Sequence, residues 1–226
     1  MQTEEKKEED IRLPDEAQFS KFTAQYRQVM MLYESAIQCV TMRLDTIGKE
    51  NMIHQQRTPI RSVLSRIKEP QSIYRKLKVN QYPLTLNSIT ENLNDVAGVR
   101  VICEYIYDAY AIRDALLSGN FIKLVQEKDY IKNPKQNGYR SLHLIVDVPV
   151  FLFEGEQEIR CEIQIRTTAM DSWAGLEHNL RYKKDRAQED ETDQKLRQCA
   201  SMLSETDALM QEVAEAIGIF EHLSHI

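Results

Sequence analysis

Apolar residues recur at helical spacing from Phe19 through Phe22, Tyr26, Val29, Leu32, Tyr33, Ala36, Val40 and Leu44 to Ile47, with no proline between Asp15 and Asn51. The pattern predicts one long helix over 15–51. A second helix is predicted over 59–67. A third begins at Pro70, a residue suited to the first helical position, and runs to about Val79. The period then changes. Stretches 95–106, 121–131, 139–153 and 158–167 are β-rich, and a helical stretch over 108–119 separates the first two. Helical periodicity returns over 168–184 and 188–217, divided by the charge run "KKDRAQEDETD", which reads as an exposed connection. No internal repeat is present. The sum predicts an α+β fold, a mixed sheet of four to five strands flanked by helices.

Composition narrows this picture. The 226 residues are 42% hydrophobic and 28% charged with only 7 glycines, which describes a helix-rich globular protein. No run approaches the roughly 20 apolar residues of a membrane helix. The first fourteen residues form an acidic, hydrophilic tail ending at Pro14, expected to be disordered and unlike a signal or transit peptide, so the expected location is the cytosol. Cys39, Cys103, Cys161 and Cys199 form no CxxC pair, and Cys103 and Cys161 fall on apolar strand faces, as buried reduced thiols do. The net charge of -6 argues against a general nucleic-acid binder, and RNA binding is not indicated. Residues 57–78 nevertheless hold seven Lys and Arg against Glu69 alone. Such a block suits a small polyanion such as a nucleoside triphosphate, or a solvated helix face.

Candidate chemistry concentrates on two strands. Over 159–166, Ile159, Cys161, Ile163 and Ile165 share one face, while Arg160, Glu162, Gln164 and Arg166 share the other. A solvent-facing sheet surface would look the same. On the strand from Tyr139, Leu142, Leu144, Val146 and Val148 oppose Tyr139, Ser141 and His143, directly after the turn "KNPKQNG". A tyrosine there can stack a base, and the lysines beside it can hold phosphates. Asp95 precedes a strand and is either a turn residue or, jointly with Glu162, a holder of one Mg²⁺ completed by water and phosphate oxygens. Lys68, Ser72 and Lys76 recur at intervals of four around the start of the third helix, whose free N–H groups favour phosphate. No P-loop motif occurs.

The segments "SRIKEPQSIYRKL", "DVAGVRVIC", "KDYIKNPKQNGYRSLHLI" and "EIQIRTTAMDSWAGLEH" resemble, in order, the motifs of RelA/SpoT-type (p)ppGpp synthetases over about residues 57–184. Helices at both ends and the lack of a His-Asp dipeptide are similar to the stand-alone small alarmone synthetases. The resemblance implies a nucleotidyltransferase-like synthetase fold: an acidic tail over 1–14, a synthetase domain over 15–184, and a helical extension over 185–226 serving oligomerisation, with a homotetramer expected. It implies transfer of the β,γ-pyrophosphate of ATP to the 3′-hydroxyl of GDP or GTP. Arg66, Lys68, Ser72, Lys76 and Arg100 would bind ATP, and Asp95 and Glu162 would hold Mg²⁺, Glu162 also engaging the 3′-hydroxyl. Tyr139 would stack guanine, with Lys135, Arg140, His143, Gln164 and Glu177 lining the acceptor. Lys128 and Asp129 lie beside that loop. Two rivals stand against this reading: an enzyme transferring AMP, which usually carries a D-x-D pair absent here, and a non-catalytic nucleotide or RNA-binding module, which needs neither carboxylate.

Overall fold

The computed structural model describes residues 15–119, 121–182 and 189–220; the acidic tail lies outside them, as does part of the charge run before the last helix. Helix α1 (Glu16–Gln55) starts where the Asp15 side chain accepts a hydrogen bond from the Gln18 N–H at 2.7 Å. It stops at Gln56, whose backbone turns left-handed (φ 55°) and donates to the Met52 carbonyl. Its apolar stripe from Met30 through Tyr33, Ala36, Val40 and Leu44 to Ile47 is buried against the sheet. Phe19 and Phe22 continue the stripe but are 60% and 54% exposed, because the first turns overhang the core.

Five strands follow, β1 (Ile60–Ile67), β2 (Ala97–Cys103), β3 (Lys123–Asp129), β4 (Leu142–Leu152) and β5 (Gly155–Thr167). They lie in the order β1-β2-β5-β4-β3, with β2 and β5 parallel and all other neighbours antiparallel. This is the expected mixed sheet. The sequence expectation fails at 59–67, where a helix was predicted and edge strand β1 stands. Ile60, Val63, Leu64 and Ile67 mimic helical spacing because the pairing slips between Ile60 and Ser62, breaking the strand's alternation. Beyond that slip Val63 and Ile67 turn toward the core and Leu64 and Arg66 toward the opposite face. The basic block is therefore one strand plus helix α2 (Pro70–Val79) rather than two helices. A short helix not anticipated from sequence, α3 (Leu86–Asn92), is capped by the Thr85 hydroxyl, which accepts from the Ser88 N–H at 3.2 Å. Strand β4 starts at Leu142, three residues later than expected, leaving Tyr139 to Ser141 as an extended lead-in.

One sheet face carries Val99, Val101, Cys161, Ile163, Ile165, Leu142, Leu144, Val146 and Val148, all buried with α1 and α4 (Ile106–Leu117) in a single core. Burial pushes the Cys161 thiol up to about 12, and the Cys103 thiol is raised as well, so both are inert packing groups. At the C-terminal end of β5, α5 (Thr168–Tyr182) meets α6 (Glu189–Ala216) around Trp173, Leu196 and Ala200, with the Trp173 indole donating to the Leu196 carbonyl at 2.9 Å. No described helix is long and apolar enough to cross a membrane.

Candidate active site

The register sets the polar face of the sheet. Arg66, Gly98 and Glu162 lie side by side across β1, β2 and β5; the next row is Leu64, Arg100, Gln164, His143 and Lys128. Residues opposite each other in neighbouring strands point to the same side. An open cleft of about 250 Å³ is lined by Arg66, Gly98, Arg100, Glu162 and Gln164, with Leu64, Ser65 and Val99. Gly98 leaves its floor bare beside Arg66.

One end of the cleft is cationic. The Lys68 N–H donates to the Val96 carbonyl at 2.9 Å, which anchors the turn into α2 beside the start of β2. The Lys68 ammonium then donates to Asp95 Oδ2 at 3.0 Å, and Lys76, two turns along, lies 2.8 Å from Oδ1. Each carboxylate oxygen of Asp95 thus faces one ammonium group. Burial alone would raise the Asp95 carboxyl; the two ammonium groups outweigh it and hold the carboxyl below its ordinary value. Ser72 is half-buried in the first turn of α2. Arg100 reaches Asp171 at 3.4 Å, and its Nε is buried without an acceptor.

The other end is aromatic. Tyr139 lies beside Tyr130, His143 and Trp173, with ring centres 6.0, 5.8 and 6.5 Å away. The Lys135 ammonium sits 4.7 Å from the Tyr130 ring centre and 4.9 Å from that of Tyr139. Gly138 makes this loop possible. Its φ is +91°, and an added Cβ would stand 2.5 Å from the Ala200 Cβ of α6. Asn137 accepts from the Tyr139 N–H at 3.2 Å and donates to Glu177 at 3.1 Å, tying the loop to α5.

Between the ends stands Glu162. Its Oε1 faces His143 Nδ1 at 3.2 Å, and its Oε2 accepts from the Gln164 amide at 2.9 Å. Burial would raise this carboxyl, but His143 and then Gln164 outweigh burial and the nearby Asp95 charge, so it is lowered. A lowered carboxyl is ionised at neutral pH, as a proton acceptor must be.

The sequence-derived residues thus fall into groups. Arg66, Arg100, Glu162 and Gln164 line the cleft; Lys68, Lys76 and Asp95 gather to one side of it, where β2 begins, and Lys135, Tyr139 and His143 to the other, beyond Gln164. Ser72 stands on α2, and Glu177 acts on the loop through Asn137. Arg140 is not brought in: its guanidinium donates to the Ile131 carbonyl at 2.8 Å and lines a crevice against Ala200 and Asp207 of α6. Lys128 is exposed at the end of the His143 row. Asp129 accepts from the Ile131 and Lys132 N–H groups at 3.0 and 2.9 Å and from the Tyr110 hydroxyl at 3.0 Å, which makes it a turn cap. Tyr130, Arg166 and Asp171 escaped the sequence reading of the site. Alternation had already placed Arg166 on the face of Glu162 and Gln164.

The described residues gather no cluster of three metal-ligating side chains. Asp95 and Glu162 would suit a magnesium ion together with water and phosphate oxygens, once phosphates draw the two ammonium groups off Asp95.

The region found in RelA / SpoT proteins matches residues 65–187. The GTP pyrophosphokinase YwaC of Bacillus subtilis is 40% identical over 159 residues, 70% of this chain and 75% of that protein. The GTP pyrophosphokinase YjbM of the same organism is 31% identical over 199 residues, 88% of this chain and 90% of that one. The crystal structure of the small alarmone synthetase 1 from Bacillus subtilis bound to its product pppGpp superposes with a TM-score of 0.77 at 30% identity, over 85% of this chain and 98% of that chain.

Proposed function

The chain belongs to the RelA/SpoT family, and from that premise we propose that it is a GTP pyrophosphokinase, transferring the β,γ-pyrophosphate of ATP to the 3′-hydroxyl of GDP or GTP to make (p)ppGpp. The observation that carries this is the placement of one ionised carboxylate, Glu162, in the cleft wall between a cationic cluster on one side and an aromatic cluster on the other. A reaction between two nucleotides needs two such ends and a base where they meet.

ATP lies on the cationic end in this reading. Arg66 and Arg100 supply flat guanidinium groups for adenine and the phosphates. Lys68 and Lys76 swing from Asp95 to the phosphates, helped by the first turn of α2 with Ser72. The acceptor lies on the aromatic end, with guanine on Tyr139 and its phosphates near Lys135. Gln164, His143 and Glu177 position the rest directly or through the loop. Glu162 takes the proton of the 3′-hydroxyl as its oxygen bonds to the β-phosphorus of ATP. The bond from that phosphorus to the α–β bridging oxygen breaks, and AMP leaves with the electron pair. Asp95 and Glu162 would hold Mg²⁺, which when bound neutralises charge on the transferring phosphates. No nucleophilic side chain is required.

Further parts of the reading are a cytosolic location, where both nucleotides are present, and assembly as a homotetramer. Exposed Met202, Leu209, Met210 and Val213 on α6 support the assembly, and light scattering tests it. The function is tested by incubating the protein with γ-labelled ATP, GDP and Mg²⁺. Label is expected in a guanosine tetraphosphate with one AMP released per product. An adenylylated product, or no turnover, rejects the proposal and favours an AMP transferase or a non-catalytic binder.

A further inference from the structure

Arg166, near the end of β5, is only 5% exposed, yet it carries a full charge into the wall of the cleft. Its Nη1 donates to Asp171 at 3.0 Å, but Asp171 is shared with Arg100, and the Arg166 Nε is buried without an acceptor. Burying a guanidinium on such terms is a poor way to stabilise a fold, since an apolar side chain of similar volume is commonly as good or better. What the guanidinium does is visible at Nη2. One N–H donates to the Tyr139 hydroxyl at 2.7 Å, the other to the Gln164 carbonyl oxygen at 2.9 Å.

Those two bonds close a ring. From Arg166 it runs to the Tyr139 hydroxyl, then to His143 Nε2 at 2.8 Å, from His143 Nδ1 to Glu162, and from Glu162 through the Gln164 amide back to Arg166. Directions around the ring follow from two facts: a guanidinium can only donate, and a carboxylate can only accept. The Gln164 oxygen is therefore turned to Arg166, and its NH₂ group must face Glu162. The Tyr139 oxygen accepts from Arg166; the Glu162 carboxylate requires an N–H at His143 Nδ1, so in the neutral ring Nε2 accepts the Tyr139 proton. In that tautomer the imidazole N–H is on Nδ1 and faces the Glu162 carboxylate.

We propose that Arg166 is the positioning residue that fixes the Glu162 carboxylate and the Tyr139 base platform in mutual register, acting through the Tyr139 hydroxyl and the Gln164 carboxamide. This rests on the pyrophosphokinase reading. The guanosine base is placed by Tyr139 and its 3′-hydroxyl must arrive at Glu162, so the distance between platform and base decides whether a bound acceptor reacts. A misplacement of about 1 Å costs on the order of a hundredfold in rate. The guanidinium also lies 5.2 Å from the Tyr139 ring centre, within cation–π reach. A lysine has one nitrogen and no rigid fork, and cannot hold both partners and Asp171 at once.

The test is a double-mutant cycle of Arg166→Lys and Tyr139→Phe, reading kcat, acceptor KM and ATP KM. Tyr139→Phe keeps the stacking ring and removes only the hydroxyl. Its kcat is expected to fall about tenfold, with acceptor and ATP KM within twofold of the unaltered protein. Arg166→Lys is expected to lose about 10–100-fold in kcat. The double variant should be no worse than Arg166→Lys within a factor of two, because both changes open the same ring. Losses that multiply, or an ATP KM that rises more than twofold in either single variant, overturn the proposal. A Tyr139→Phe variant with unaltered kcat also overturns it, whether or not Arg166→Lys folds. The unaltered protein is the control: if it transfers no pyrophosphate, the pyrophosphokinase reading itself has failed.

Discussion

At the cationic end of the cleft, two lysines gather about Asp95, held by one hydrogen bond and one ion pair; at the aromatic end, five side chains are joined by hydrogen bonds into a closed ring. The first arrangement is loose by construction. Lys76 is 39% exposed on its side chain, and an ion pair so open to water is weak, so phosphates can take its ammonium over at little cost. The second arrangement is rigid. His143 and Arg166 are buried, and each ring member has its orientation set by its neighbours. The difference matches the two tasks. A donor triphosphate needs neutralisation by groups that can rearrange around it, whereas an acceptor hydroxyl needs a base at a fixed place.

Experiments that break one end and spare the other sharpen this contrast. The largest effect is expected where the ends meet. Glu162→Gln keeps the size of that side chain but turns an NH₂ group toward one of its two donors and cannot accept the hydroxyl proton, and should lower kcat by roughly 10²–10⁴-fold while the protein stays folded. Turnover near that of the unaltered protein would remove Glu162 from the chemistry. Asp95→Asn should follow, with kcat down by about a hundredfold and a higher Mg²⁺ concentration needed for half-maximal rate, since one metal carboxylate is lost. Equal Mg²⁺ requirements would assign Asp95 to the lysines alone.

Gly138→Ala should act only on the aromatic end. The strained φ and the clash with Ala200 push the loop off α6, raising acceptor KM several-fold and lowering Tm by a few degrees, for a cost of about 1–3 kcal/mol. Adding Ala200→Gly should recover part of that loss. A smaller effect is expected in acid. Asp95 is held below its ordinary 3.8, so its contribution to stability is present above that value and lost as pH falls through the lower folded value. Removing the carboxylate in Asp95→Asn should therefore flatten the fall of Tm as pH drops below 3.8. An unchanged slope in thermal melts would place the acid sensitivity elsewhere.

Much of this was legible in the chain because alternation survives burial. The apolar and polar faces of β5 stand as 159–166 lays them out, and the stripe of α1 finds the sheet where its spacing begins to be buried at Met30. Strand β1 was not legible: an edge strand with a slipped register has neither regular alternation nor a fully buried face, and its apolar residues fell at helical intervals. At the site, charged and aromatic residue types announced themselves, but their partners did not. Nothing local in the sequence tells that Arg140 turns to the Ile131 carbonyl while Arg166 turns to Tyr139, because those contacts depend on loop closure and on α5 and α6. Gly138 reads as a turn residue, yet the space it leaves is filled by Ala200, sixty-two positions away.

The assignment of one nucleotide to each end is tested most directly by the Michaelis constants of Tyr139→Ala, measured for both substrates on the same preparation. Stacking of one base on an aromatic ring contributes about 1–3 kcal/mol. The acceptor KM is therefore predicted to rise about tenfold or more, while the KM for ATP stays within twofold. If the two rise together, or if only the ATP value moves, the guanosine nucleotide does not sit on Tyr139 and the two-ended account is wrong.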